Sequence, residues 1–195
     1  MNRNFVASAV LLFAAAGAFA QSAGSTVQRD VNQQQRIENG LRNGSITTGE
    51  AARLEREEAK VDHLQAQALK DGNLTPAERT RLQHAQDKTS RDITSAANNG
   101  MTGDPQSASA RRMQADVQRN INQEKRIGQG VQNGSLNNRE VARLERGQAK
   151  VDGQEFAAGR DNHVGVHEQH RVQHSENLQS RRIFREKHDA QQRKG

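Results

Sequence analysis

Four of the seven histidines fall between residues 163 and 174. His167, His170 and His174 stand at i, i+3 and i+7, which on an α-helix keeps them within about 60° of one another. His163 joins the same face if the helix continues back through Gly165. Imidazole nitrogens about one turn apart suit zinc, copper or nickel, and the chain has no cysteine to compete for a softer ion. Glu168 adds a carboxylate oxygen, about 100° around the helix from His167. The expected metal set is therefore His163, His167, His170, His174 and Glu168, capturing a divalent transition metal. Val172 and Ile183 lie roughly opposite, so this stripe should face water. A solvated stripe that responds only to pH competes with the metal reading, because imidazole titrates near about 6.5.

Other chemistry is thinner. Asp71-Gly72-x-Leu74-Thr75-x-x-Glu78 has the form of the back half of an EF-hand loop, but calcium also needs oxygen ligands at loop positions 1 and 3. Those positions hold Gln67 and Leu69, and in the other units Asn39 and Leu41, Gln129 and Val131, and Ala157 and Gly159. A helix–turn–helix explains the same residues: the glycine makes the turn and the glutamate caps the helix. There is no glycine-rich phosphate loop, no nucleophile elbow and no His-Glu-x-x-His, so no catalytic residues are assigned and an enzyme is not expected. Nearly all carboxylates alternate with Arg or Lys, which reads as solvated helix faces. The C-terminal run Arg181, Arg182, Arg185, Lys187, Arg193 and Lys194 suits an anionic surface. Nucleic acid is not expected, since Phe156 and Phe184 are the only aromatics available for stacking beyond the N-terminal segment.

Those residues must be positioned by a chain that is poor in apolar side chains. Residues 1–20 read as a signal peptide: Arg3, an apolar Phe5–Phe19 stretch, and Ala18-Phe19-Ala20 before Gln21, giving expected cleavage after Ala20 and a periplasmic or secreted product. No later segment is apolar enough to span a membrane. In the remaining 175 residues Val, Ile, Leu and Phe supply 27 and Gln alone 22. A deep apolar pocket is unlikely on that composition, and the absence of cysteine leaves stability to helices and to whatever the protein binds.

A shift of 90 residues aligns 30–62 with 120–152 at 18 of 33 identical positions. Asn43-Gly44-Ser45 recurs as Asn133-Gly134-Ser135, Ala52–Arg56 as Ala142–Arg146, and Ala59–Asp62 as Ala149–Asp152. That is a duplication. Each copy reads as three helices. Val27, Val31, Ile37 and Leu41 share a face, as do Val117, Ile121, Ile127 and Val131. Leu54, Val61 and Ala68 mark a second helix, and Leu82, Ala85, Thr89 and Ile93 a third. Thr47…Glu50, Thr75-Pro76-x-Glu78 and Asn137…Glu140 are capping boxes. Ser95–Ser109, rich in Ser, Asn and Gly with Pro105, reads as a linker.

This arrangement resembles a group of exported proteobacterial proteins built of tandem helices with Gly-x-Leu-Thr-x-x-Glu-x-x-x-Leu elements, distantly EF-hand-like in the turn. The resemblance covers 30–93 and 120–152 and fades at 161–168, where Asp161-Asn162-His163-Val164-Gly165-Val166-His167-Glu168 stands in place of 71–78. It implies an exported location and a helical fold, and no particular activity. The expected fold class is all-α: two tandem copies of a three-helix unit with a thin core, a flexible linker and partly disordered termini. The boundaries are signal peptide 1–20, repeat one 26–94, linker 95–112, repeat two 113–189 and basic tail 190–195. Two functions from different classes follow: an exported, non-enzymatic transition-metal binder, or a scaffold whose weak apolar stripes meet an envelope protein. A degenerate calcium binder stands third.

Overall fold

A computed structural model describes residues 14–189, with side-chain surroundings from Ala23 onward. Residues 1–13 of the expected export signal and the basic tail 190–195 lie outside the described residues. The chain is all-helical there: α1 (Ala14–Asn43), α2 (Thr48–Ala68), α3 (Pro76–Asn98), α4 (Ala108–Gln132), α5 (Asn138–Gly159) and α6 (Val166–His188). None of the described helices is long and apolar enough to cross a membrane.

Helix starts follow the side chains that satisfy their free N–H groups. At α2 the Thr47 hydroxyl accepts from Glu50 N at 3.2 Å, while Thr47 N donates to Glu50 Oε2 at 2.9 Å. Thr75 with Glu78 repeats this at α3, and Asn137 with Glu140 at α5. The three capping boxes read from sequence are therefore present. Ser107 caps α4 through Ala110 N at 3.1 Å. At α6 the cap position is Gly165, which has no side chain to offer, and only the return bond from Gly165 N to Glu168 Oε2 remains, at 2.8 Å.

The first helices of the two copies, α1 and α4, pack antiparallel: Gly24 faces Val131, Gly128 faces Val27, and Gln114 Nε2 donates to Leu41 O. The second helices, α2 and α5, do the same. Gly49 N donates to Asn162 Oδ1 at 2.8 Å at one end, and Asn138 Nδ2 to Gly72 O at 2.8 Å at the other. α3 and α6 clasp the outside through bonds that recur 90 residues apart. Arg36 bonds Ser90 Oγ at 2.7 Å and Ser90 O at 3.1 Å, and Arg126 bonds Ser180 at the same two lengths.

The copies therefore interleave instead of sitting side by side. One apolar cluster joins Val27, Leu69, Leu74 and Leu82 to Ile127, Val131, Leu136, Leu144 and Ile183. The other joins Ile37, Leu41, Ile46, Leu54 and Ile93 to Met113, Val117, Ile121, Val164 and Val172. The expected linker also shrinks. α3 continues to Asn98 and α4 begins at Ala108, so only 99–107 is non-helical. This segment is pinned, with Gly103 N donating to Gly44 O at 2.8 Å and Gln114 Nε2 to Pro105 O at 3.1 Å. Small residues in the stretch read as linker fit here because Ala96 and Ala97 pack on the second cluster and Ala110 is buried.

Each first helix ends in a tight return. Ile46 N donates to Gly40 O at 3.0 Å and Leu136 N to Gly130 O at 2.9 Å, and each folded-back side chain lies directly over its glycine. A Cβ on Gly130 would collide with Leu136. Gly130→Ala should therefore destabilise the protein by about 1–3 kcal/mol through overpacking, although alanine is the better helix former by about 1 kcal/mol. Urea unfolding checks this, and an unchanged or raised midpoint would mean that the return can shift at no cost.

Candidate metal centre

The packing of α2 on α5 buries acids. On α2, Glu55, Glu58, Asp62 and Gln65 stand at i, i+3, i+7 and i+10, one helical face. On α5, Glu145, Gln148, Asp152 and Glu155 repeat that spacing, and all eight are at most 3 % exposed. Leu54, Val61 and Ala68, with Leu144, Val151 and Ala158, run beside these stripes and are buried too. Apolar packing thus carries the polar stripe inside with it. α1 adds Asp30, Gln33 and Gln34, α4 adds Asp116, Asn120, Gln123 and Glu124, and Gln86, Glu176 and Gln179 enter from α3 and α6, all of them buried.

Within this seam, two groups of carboxylates have ligand oxygens within 4.8 Å of one another. One is Glu55, Asp152 and Glu155; the other is Asp62, Glu124 and Glu145. The duplication relates them, since Glu55 corresponds to Glu145 and Asp62 to Asp152. They touch through a hydrogen bond between the Asp62 and Asp152 carboxyls, and Glu55 and Glu155 share another inside the first group.

Cationic compensation is nearly absent. Among the described residues the one ion pair made by these acids is Arg119 with Glu176, at 2.9 Å. Amides supply part of the remainder. Gln34 Nε2 donates to Glu55 Oε2 at 2.8 Å, Asn120 Nδ2 donates to Asp152 and Glu155 at 2.9–3.0 Å, and Gln148 bonds Glu124. The opposite ends of those amides, Gln34 Oε1, Asn120 Oδ1 and Gln148 Oε1, are buried without a hydrogen bond. So are both oxygens of Glu58 and Glu145 and both polar atoms of Gln65. Buried polar atoms without partners are uncommon and costly; here they converge on one seam.

Burial is the leading cause of a raised pKa throughout. It pushes Asp30, Glu55 and Asp116 up to about 7, and Glu176 up to about 8 against the pull of Arg119. Glu58, Asp62, Glu124, Glu145, Asp152 and Glu155 are driven well above the carboxylate range, first by burial and then by neighbouring carboxylates.

The histidine set is arranged otherwise. His167, His170 and His174 lie on the exposed face of α6, opposite buried Val172 and Ile183, as the spacing predicts. α6 begins at Val166, however, so His163 sits in the preceding turn and the helix does not extend back through Gly165. The Glu168 carboxylate is occupied in capping. None of the groups of potential ligands among the described residues includes a histidine. A third acidic group, Glu140, Glu186 and Asp189, is engaged at the start of α5, where Glu140 caps Asn137 N and Glu186 pairs with Arg143 at 2.7 Å.

Reading the carboxylates as solvated faces was incorrect for the seam. In Glu55-Arg56-Glu57-Glu58 the alternation of charge hides a helical period. Arg56 lies outside over the Phe156 ring and Glu57 pairs with Lys60 and Lys88, while Glu55 and Glu58 turn inward. The available signal was that Glu55 and Asp62 recur unchanged as Glu145 and Asp152, each beside the apolar stripe. No protein-family model, curated protein or solved structure matches the chain.

Proposed function

We propose that this is an exported, non-enzymatic helical-repeat protein whose two copies close around an interior site for a hard divalent cation. The observation that carries the reading is the seam of buried carboxylates with unpartnered oxygens and a single ion-paired arginine. Buried charges are tolerated when they are paired or coordinate a metal. The donor set is all oxygen, from carboxylates and amide carbonyls, which suits calcium, manganese or magnesium better than zinc, copper or nickel. Helix bundles build metal sites in this way, from side chains on facing helices. The ion's work would be structural: it replaces absent positive charge in the core and ties copy one to copy two.

The test is thermal unfolding of chelator-treated full chain at neutral pH, with calcium, manganese, magnesium or zinc added. Saturation at a hundredfold over Kd stabilises by about 2.7 kcal/mol, which for a chain of this size raises Tm by about 5–10 °C. Calcium or manganese should give that rise, and Glu145→Gln should remove most of it. No rise with any of the four ions, together with no metal retained after desalting, would overturn the reading.

A further inference from the structure

We infer that the interior holds two cations, one in each carboxylate group, and that the group of Asp62, Glu124 and Glu145 fills first; this rests on the cation reading above. The two groups are distinct triads related by the duplication, each drawing on both α2 and α5. The six carboxylates do not gather into a single group within 4.8 Å but into two, so one ion does not reach all of them. The amides with an unpartnered oxygen are likewise spread across the seam: Gln34 and Asn120 bond the first triad, while Gln148 bonds Glu124 of the second.

Divergence between the copies makes the triads unequal. Position 30 is Asp and position 120 is Asn; position 34 is Gln and position 124 is Glu. The first triad therefore has amides, Asn120 and Gln34, as its α4 and α1 neighbours, and both donate N–H groups to its carboxylates. Beyond Glu155 stand Asp116 and Glu176, the latter held by the Arg119 guanidinium, a fixed positive charge that disfavours a nearby cation. The second triad has carboxylates in those places. Glu124 is itself a ligand, Asp30 and Glu58 are buried in the same seam, and among the described residues no guanidinium is in ion-pair contact with any of its three members. More negative charge and no competing cation make the second triad the tighter site, since ligand charge tunes affinity in all-oxygen sites.

Manganese(II) separates the possibilities. Equilibrium dialysis of the metal-free full chain should give two ions per chain, with affinities differing by about tenfold or more, equivalent to about 1.4 kcal/mol. The electron paramagnetic resonance spectrum should show the resolved lines of an isolated ion at the first equivalent. It should then broaden as the second ion enters beside it. Glu145→Gln should abolish the tight phase, and Glu155→Gln the weak phase alone, with circular dichroism confirming that both variants stay helical. Glu124→Gln serves as a second probe of the tight site should Glu145→Gln fail to fold. A single ion per chain, or two of equal affinity, would overturn this inference and leave the cation reading standing. No bound manganese, calcium or magnesium would end both.

Discussion

Metal-free protein is expected to lose stability steadily as pH rises from about 4 to about 8. In the unfolded chain these carboxyls ionise near about 4. In the folded chain Asp30, Glu55 and Asp116 hold their protons to about 7 and Glu176 to about 8, because burial opposes the charged form. Over that interval the unfolded state binds fewer protons than the folded one, so raising the pH favours unfolding. Below about pH 4 both states are protonated and the penalty vanishes. If each of these four groups held its proton only one pH unit beyond the unfolded value, the cost would be about 5 kcal/mol in total, a large part of a domain's usual stability. Cation binding should invert the trend. Ligands must be deprotonated to bind, so ion affinity and ion-induced stabilisation both grow with pH. Urea midpoints at about pH 5 and about pH 8, in chelator and in excess calcium, measure it directly. A flat profile in chelator would mean that water or local opening already solvates the seam, and the case for buried, uncompensated acids would fail.

How much of this was legible follows from which residues carry local signals. The starts of α2, α3 and α5 were readable because Thr47, Thr75 and Asn137 act within one turn of the residues they cap. The apolar stripes were readable because Val27, Val31, Ile37 and Leu41 of α1 have no reason to recur on one face other than burial. The interleaving of the copies was not readable. Gly49 meets Asn162 and Gln114 meets Leu41 across long stretches of chain, and duplication alone is equally compatible with two separate units. The seam was hidden for a different reason: a buried glutamate and a solvated one are the same letter. Only register against Leu54 and Val61, and identity with Glu145 and Asp152, distinguishes Glu55 and Asp62 from Glu57. The histidine stripe was legible from its spacing, since α6 presents His167, His170 and His174 to solvent as that spacing implies, but His163 sits in the turn because α6 begins only at Val166.

Replacing Glu58 by methionine should change stability in opposite directions with and without cation. Glu58 is 1 % exposed, both of its oxygens lack a hydrogen bond, and Asp30, Glu55, Asp62 and Glu124 surround it. In metal-free protein this side chain is desolvated and repelled by its neighbours, and nothing offsets either cost. Apolar replacements of buried charged groups are often stabilising by about 1–4 kcal/mol, and methionine adapts its shape to an irregular site. Glu58→Met should therefore raise the urea midpoint in chelator at pH 8. In saturating calcium the same substitution removes negative charge that attracts the ion, so the calcium-dependent gain should shrink and the variant should fall level with or below the parent. Leu144→Ala provides the contrast. It empties apolar volume in the core and should cost about 2–5 kcal/mol in both conditions. The crossing of the two Glu58 values separates an ion site from a merely polar core. A hydrogen-bonding role for Glu58 would make methionine destabilising in chelator and calcium alike, and that outcome would count against the interior cation.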